Sequence, residues 1–135
     1  MTTSIISTQP NNPIILSTGM YDLLKEQLRK RKLSKYNEDK LTLELKNAIQ
    51  VLKRELPHDV VTVDRAVRVQ ELSSGEETTY RLVAPDKAKR KNNTISILSP
   101  IGVAMLGYRQ GAQVRWEMPD GIKEYRIVEV NDLRP

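Results

Sequence analysis

Ser99-Pro100-Ile101-Gly102-Val103-Ala104-Met105-Leu106-Gly107 reads as one short helix with both of its ends written into it. Ser99 suits the N-cap, and Pro100 suits the first helical position, where its missing N–H would be an orphan in any case. Gly107 suits the left-handed residue that follows a last turn. A helix of about two turns does not hold in water, because nucleation is costly and too few bonds follow to offset it. The segment therefore needs a sheet to pack on, with Val103, Met105 and Leu106 as the packed side chains.

The flanking sequence supplies strands. Ala66 to Leu72 alternates apolar and polar residues, Ser73-Ser74-Gly75-Glu76 turns the chain, and Thr78 to Val83 brings it back as an antiparallel hairpin. Residues 84–93 form a loop rich in Lys and Arg, and Thr94 to Leu98 is the strand that feeds the short helix. Beyond Gly107, Gln113 to Met118 and Lys123 to Val130 are two more strands. Between them Pro119-Asp120-Gly121 reads as a tight turn, with the Asp-Gly pair at positive φ. An α+β domain is expected: an antiparallel sheet of about five strands with one short helix on it.

Toward the N-terminus the periodicity becomes helical. Tyr21, Leu24 and Leu28 recur at steps of three to four after a cap at Ser17 or Thr18. Asn37 is expected to cap a second helix, Glu38 and Asp39 suit its positive end, and Leu41, Leu45, Ala48 and Leu52 form its seam up to Pro57. At ~1.5 Å per residue a helix of about 18 residues would extend ~27 Å. The two helices predict an antiparallel hairpin, a short coiled coil, that projects as an arm. Its tip carries Arg29, Lys30, Arg31, Lys32, Lys35, Tyr36, Glu38, Asp39 and Lys40. The expected organisation is a flexible polar tail over 1–13, the helical hairpin over 14–56 and the α+β domain over 57–135.

Composition narrows the chemistry. The 135 residues include no cysteine and one histidine, which leaves no thiolate nucleophile, no cysteine-ligated metal and no cluster of metal-binding imidazoles. His58 is expected in a turn and Trp116 in the core. No glycine-rich phosphate loop occurs, so no catalytic residue, metal or cofactor is expected and the chain reads as a non-enzyme. The N-terminus has no secretory pattern and nothing approaches a membrane span, so a soluble cytoplasmic monomer is expected. The net charge of +5 is uneven: residues 1–56 carry ten basic against six acidic side chains, whereas residues 57–135 are nearly balanced. A basic hairpin favours acidic partners.

Four further segments complete a pattern: Pro57-His58-Asp59-Val60-Val61-Thr62, Leu72-Ser73-Ser74-Gly75-Glu76, Thr94 to Gly102 with Leu106-Gly107, and Trp116-Glu117-Met118-Pro119-Asp120-Gly121. In order and spacing these resemble the GreA/GreB family of bacterial transcription factors, and within it the Rnk branch, the regulators of nucleoside diphosphate kinase. The resemblance covers nearly all of 57–135; the N-terminal arm matches in architecture alone. It implies an FKBP-like C-terminal domain preceded by a helical hairpin. It also implies docking of that domain at the rim of the RNA polymerase secondary channel, with the hairpin directed into the channel.

Carried onto this chain, the docking contact falls on Ser99, Pro100 and Ile101, with Leu98 where some cleaving relatives hold an acid. In the cleaving members two tip acids help hold a second metal ion at the polymerase active site. Glu38 and Asp39 are the acids near this tip, but basic neighbours outnumber them and the hairpin is short. The Rnk branch is implied to bind polymerase without cleavage, and that is the function expected here. Two alternatives stand beside it: a Gre-type cleavage factor using Glu38 and Asp39, and a nucleic-acid-binding or other protein-interaction module working through the basic tip.

Overall fold

The computed structural model describes residues 13–133. The expected tail over 1–13 lies outside them except for Pro13. In chain order the elements are β1 (Ile15–Ser17), α1 (Thr18–Arg29), α2 (Lys35–Asn47), β2 (Ile49–Val51), β3 (Arg65–Glu71), β4 (Glu77–Val83), β5 (Thr94–Ser96), α3 (Pro100–Met105), β6 (Gln113–Met118) and β7 (Gly121–Asp132). Short 3-10 turns occupy Lys53–Glu55, Pro85–Lys87 and Arg90–Asn92.

Five strands form the main sheet in the order β5-β4-β3-β7-β6. The expected antiparallel arrangement holds for three of its four pairings. The fourth is a correction: β5 runs parallel to β4, from Arg81 opposite Thr94 to Val83 opposite Ser96. The long connection over 84–93, with its two 3-10 turns, brings the chain back to the level of Arg81, so β5 runs beside the last residues of β4 in the same direction. The turn before β7 is a second correction. Gly121 has φ +130 but Asp120 is not among the positive-φ residues, because Pro119 fixes a negative φ at the first loop position and rules out a primed turn.

The core lies where α3 meets the sheet. Val67, Val69, Leu82, Val114, Trp116, Tyr125 and Ile127 point inward at alternating positions, and every α3 residue except Pro100 is buried. The capping expectations hold. Ser99 Oγ accepts from the Gly102 N–H at 3.2 Å, and Gly107 sits at φ +89. Gly102 also lets α3 approach the preceding turn, since a Cβ built there would lie 2.6 Å from the Ile97 carbonyl oxygen.

The N-terminal part departs further from expectation. Ser34, not Asn37, caps α2, accepting from the Asn37 N–H at 3.2 Å. The helix then ends at Asn47 rather than before Pro57. Its 13 residues extend about 20 Å, and Leu52, assigned to the seam, is 49% exposed. The chain beyond α2 instead forms β2, which pairs in parallel with β1. This small sheet is tied to the core at the end of α3: the Ile15 N–H donates to the Gly107 carbonyl, and the Gly107 N–H donates to that of Val61.

The expected projecting arm is not what forms. Helix α2 lies along β6, and Leu24, Leu41 and Leu45 belong to the same apolar cluster as Trp116 and Ile127. The physical reason is exposed backbone at an edge. Strand β6 is the last in the sheet, and Asn37 fills its open side. Among the described residues no helix is long and apolar enough to cross a membrane.

Candidate functional site

The first expected contact surface is the start of α3. Pro100 is exposed, Ser99 is half-buried with its hydroxyl engaged in the cap, and Ile101 is buried at 9% exposure. Of the three candidates, Pro100 offers a free side chain, while Ser99 and Ile101 set the direction in which the helix starts. Leu98 beside them is half-buried, and its N–H donates to Ser96 Oγ.

The second is the connection between α1 and α2. Arg29 ends α1 and is bonded to Glu26 through two nitrogens. Lys30 is the C-cap, Arg31 takes φ +56, and Lys32 follows exposed. Glu38 faces Arg31 at 3.9 Å and Asp39 faces Lys35 at 3.2 Å. Each tip acid thus has a cation beside it, and neither is aimed at the other as a metal pair would be. Among the described residues no group of three His, Cys, Asp or Glu side chains is placed to hold a metal ion. Lys30 and Lys32 have no ion-pair partner among the described residues. The tip presents net positive charge.

A polar clamp that sequence reasoning missed ties α2 to the main domain. Asn37 Nδ2 donates to the Glu117 carbonyl at 2.9 Å while the Glu117 N–H donates to Asn37 Oδ1 at 2.8 Å, so one side chain mimics a neighbouring strand. One turn on, Lys40 Nζ lies 2.6 Å from both Glu44 and the Tyr108 hydroxyl, and 5.1 Å from the Tyr108 ring centre. Asn37 looked like a cap and Lys40 like a tip charge. Their partners are 80 and 68 residues away, and no local pattern announces such a pairing.

Burial pushes the Glu44 carboxyl above the usual carboxylate range, with Lys40 pulling it the other way. A raised acid binds its proton more tightly in the folded state, so its contribution to stability is greatest below the ordinary carboxylate pKa and is lost as pH rises through the folded value. Glu44→Gln imitates the protonated acid. It is expected to match or exceed the parent in urea unfolding at neutral pH, and to lose that advantage at pH about 4.

Comparison with known proteins addresses this arrangement as a whole. Residues 56–132 match the family model described as "Transcription elongation factor, GreA/GreB, C-term". The chain is 40% identical over 97 residues to the regulator of nucleoside diphosphate kinase of Escherichia coli K12, covering 72% of this chain and 71% of that one. It is also 40% identical over 87 residues to transcription elongation factor GreA of Clostridium botulinum, covering 64% of this chain and 54% of the relative. Among solved structures, a prokaryotic transcription elongation factor GreA/GreB from Nitrosomonas europaea is similar at 37% identity and a TM-score of 0.61, over 90% of this chain and 99% of that one. The match takes in the capped helix, the main sheet and the edge strand that receives Asn37, and the chain belongs to the GreA/GreB transcription elongation factor family.

Proposed function

We propose that this protein is a transcription regulator of the Rnk type, which binds RNA polymerase at the rim of the secondary channel and does not stimulate transcript cleavage. In this reading the body formed by residues 57–135 is an FKBP-like docking domain, residues 14–56 form the hairpin unit, and the protein acts as a monomer in the cytoplasm. Pro100, exposed where Ser99 fixes the start of α3, supplies the docking contact, with Ile101 behind it. Lys30 and Lys32, unpaired at the hairpin turn, face acidic polymerase surfaces or nucleic-acid phosphates within the complex.

The observation that carries the non-cleaving reading is the state of the tip acids. A second catalytic metal needs carboxylates free to ligate it, because hard cations take oxygen ligands and must offset charge on the reacting oxygens. Here Glu38 and Asp39 stand among Arg31, Lys35, Lys30 and Lys32, two of them at ion-pair distance. That field opposes a divalent cation. Both acids also have an explanation without catalysis: Glu38 lies in the first turn of α2 and complements its positive end, and Asp39 pairs with Lys35 one turn back.

The test is a double variant. Glu38→Ala with Asp39→Ala is expected to leave polymerase binding within about twofold of the parent, as exposed ion pairs contribute little, and cleavage of backtracked transcripts at background in both. Cleavage by the parent that disappears in the variant would establish the Gre-type alternative instead.

A further inference from the structure

A cleft of about 850 Å³ opens between the start of α1, the end of β2 and the turn leading into β3. It involves neither the α3 start nor the hairpin tip. Thr62 lines it and is 8% exposed. Among the described residues its hydroxyl has no hydrogen-bond partner, and none of their buried side-chain oxygens is both sealed from solvent and unpartnered. The Thr62 hydroxyl therefore keeps some access to solvent, and the cleft is the opening that this residue lines. A nearly buried hydroxyl with nothing to bond is uncommon in a folded chain.

Other groups converge there. Arg65 spends Nη1 on the Pro57 and Val60 carbonyls and Nε on Asp132, which leaves Nη2 without a partner among the described residues. Lys53 makes no ion pair among them. The first turn of α1 contributes its positive end, where N–H groups have no acceptor within the helix. Opposite in character, Met20, Leu52 and Leu56 give the cleft an apolar wall, with Leu52 half exposed.

We propose that this cleft binds a small amphipathic monocarboxylate. Charge selects the class. Arg65 and Asp132 neutralise each other and Asp64 offsets Lys53, so the surplus is the partial positive charge of the helix end. That balance suits one negative charge and disfavours a dianionic phosphate. The Thr62 hydroxyl and the α1 terminus receive the carboxylate, and Met20, Leu52 and Leu56 receive the hydrocarbon body. The volume falls in the range of small-molecule sites, which combine apolar walls with a few placed polar groups.

Octanoate is the probe, titrated into the full chain and followed by amide chemical shifts, with octanol and inorganic phosphate titrated separately. The expected result is a dissociation constant of about 1 mM or tighter, with shifts concentrated at residues 17–20, 51–56 and 62–65. Thr62→Val is expected to weaken octanoate binding about tenfold without lowering Tm, because no internal hydrogen bond is lost. Lys53→Met is expected to weaken it as well, and decides the matter should the Thr62 variant fail to fold. The proposal is overturned if octanol binds as well as octanoate, if phosphate shifts the same residues equally, if octanoate shifts none of them, or if the variants that fold bind octanoate as the parent does.

Discussion

Gly102→Ala is expected to destabilise the protein by about 3 kcal/mol, although alanine is the better helix former by about 1 kcal/mol. The new Cβ would stand 2.6 Å from the Ile97 carbonyl oxygen, 2.8 Å from its carbon and 2.9 Å from its Cα. All three are backbone atoms, and the Ile97 N–H is itself bonded to the Val83 carbonyl at 2.9 Å, so the turn cannot swing aside. Helix α3 must lift instead, which loosens Met105 and Leu106, each 1% exposed, from the sheet. Overpacking against fixed backbone therefore outweighs helix propensity. Urea denaturation of parent and variant measures the difference; a neutral or stabilising result would mean that α3 does not approach the Ile97 turn so closely.

Asn37→Ala is expected to cost about 2 kcal/mol and to release α2 from the sheet edge. The side chain is 4% exposed and makes two hydrogen bonds to the Glu117 backbone; the alanine removes both and strips the β6 edge of the group that covers it. Lys40 and its contacts with Tyr108 and Glu44 remain, so α2 should loosen before the domain unfolds. Hydrogen exchange reads this directly. Amides of 35–47 are expected to exchange faster in the variant while those of β3 and β7 keep their protection. Equal acceleration throughout would show that α2 opens only with the whole molecule.

How much of this was legible in the sequence differs from one segment to the next. The run from Ser99 to Gly107 could be read because both of its ends carry chemistry of their own. Strand β3 could be read because its residues alternate, β4 because the turn over 73–76 sends the chain back, and β6 and β7 because they flank the Pro119-Asp120-Gly121 turn. The start of α2 was misplaced because Asn37 followed by two acids imitates a cap, while the Ser34 hydroxyl does the capping one turn earlier. The pairing of β1 with β2 could not be read. Three-residue parallel strands owe their register to Ile14 and Gly107, and a Cβ at Gly107 would lie 2.9 Å from Ile14 Cβ and Leu16 Cδ2. That is tertiary fit, not local preference.

The candidate site divides in the same manner. Pro100 and the basic turn are properties of neighbouring residues and were visible in the sequence. The clamp formed by Asn37 and Lys40 joins residues far apart in the chain, and an idealised coiled-coil seam led instead to a free arm. Thr62 carried no signal of a site in a run of β-branched residues; only its burial without a partner distinguishes it.

The most direct measurement is binding of the purified protein to core RNA polymerase in competition with a cleavage-type Gre factor, with cleavage of backtracked transcripts read in the same samples. The expected result is that this protein displaces the Gre factor and that cleavage falls as it does so. Absence of binding, or cleavage that the protein itself sustains after the Gre factor is displaced, would contradict a non-cleaving factor bound at the secondary channel.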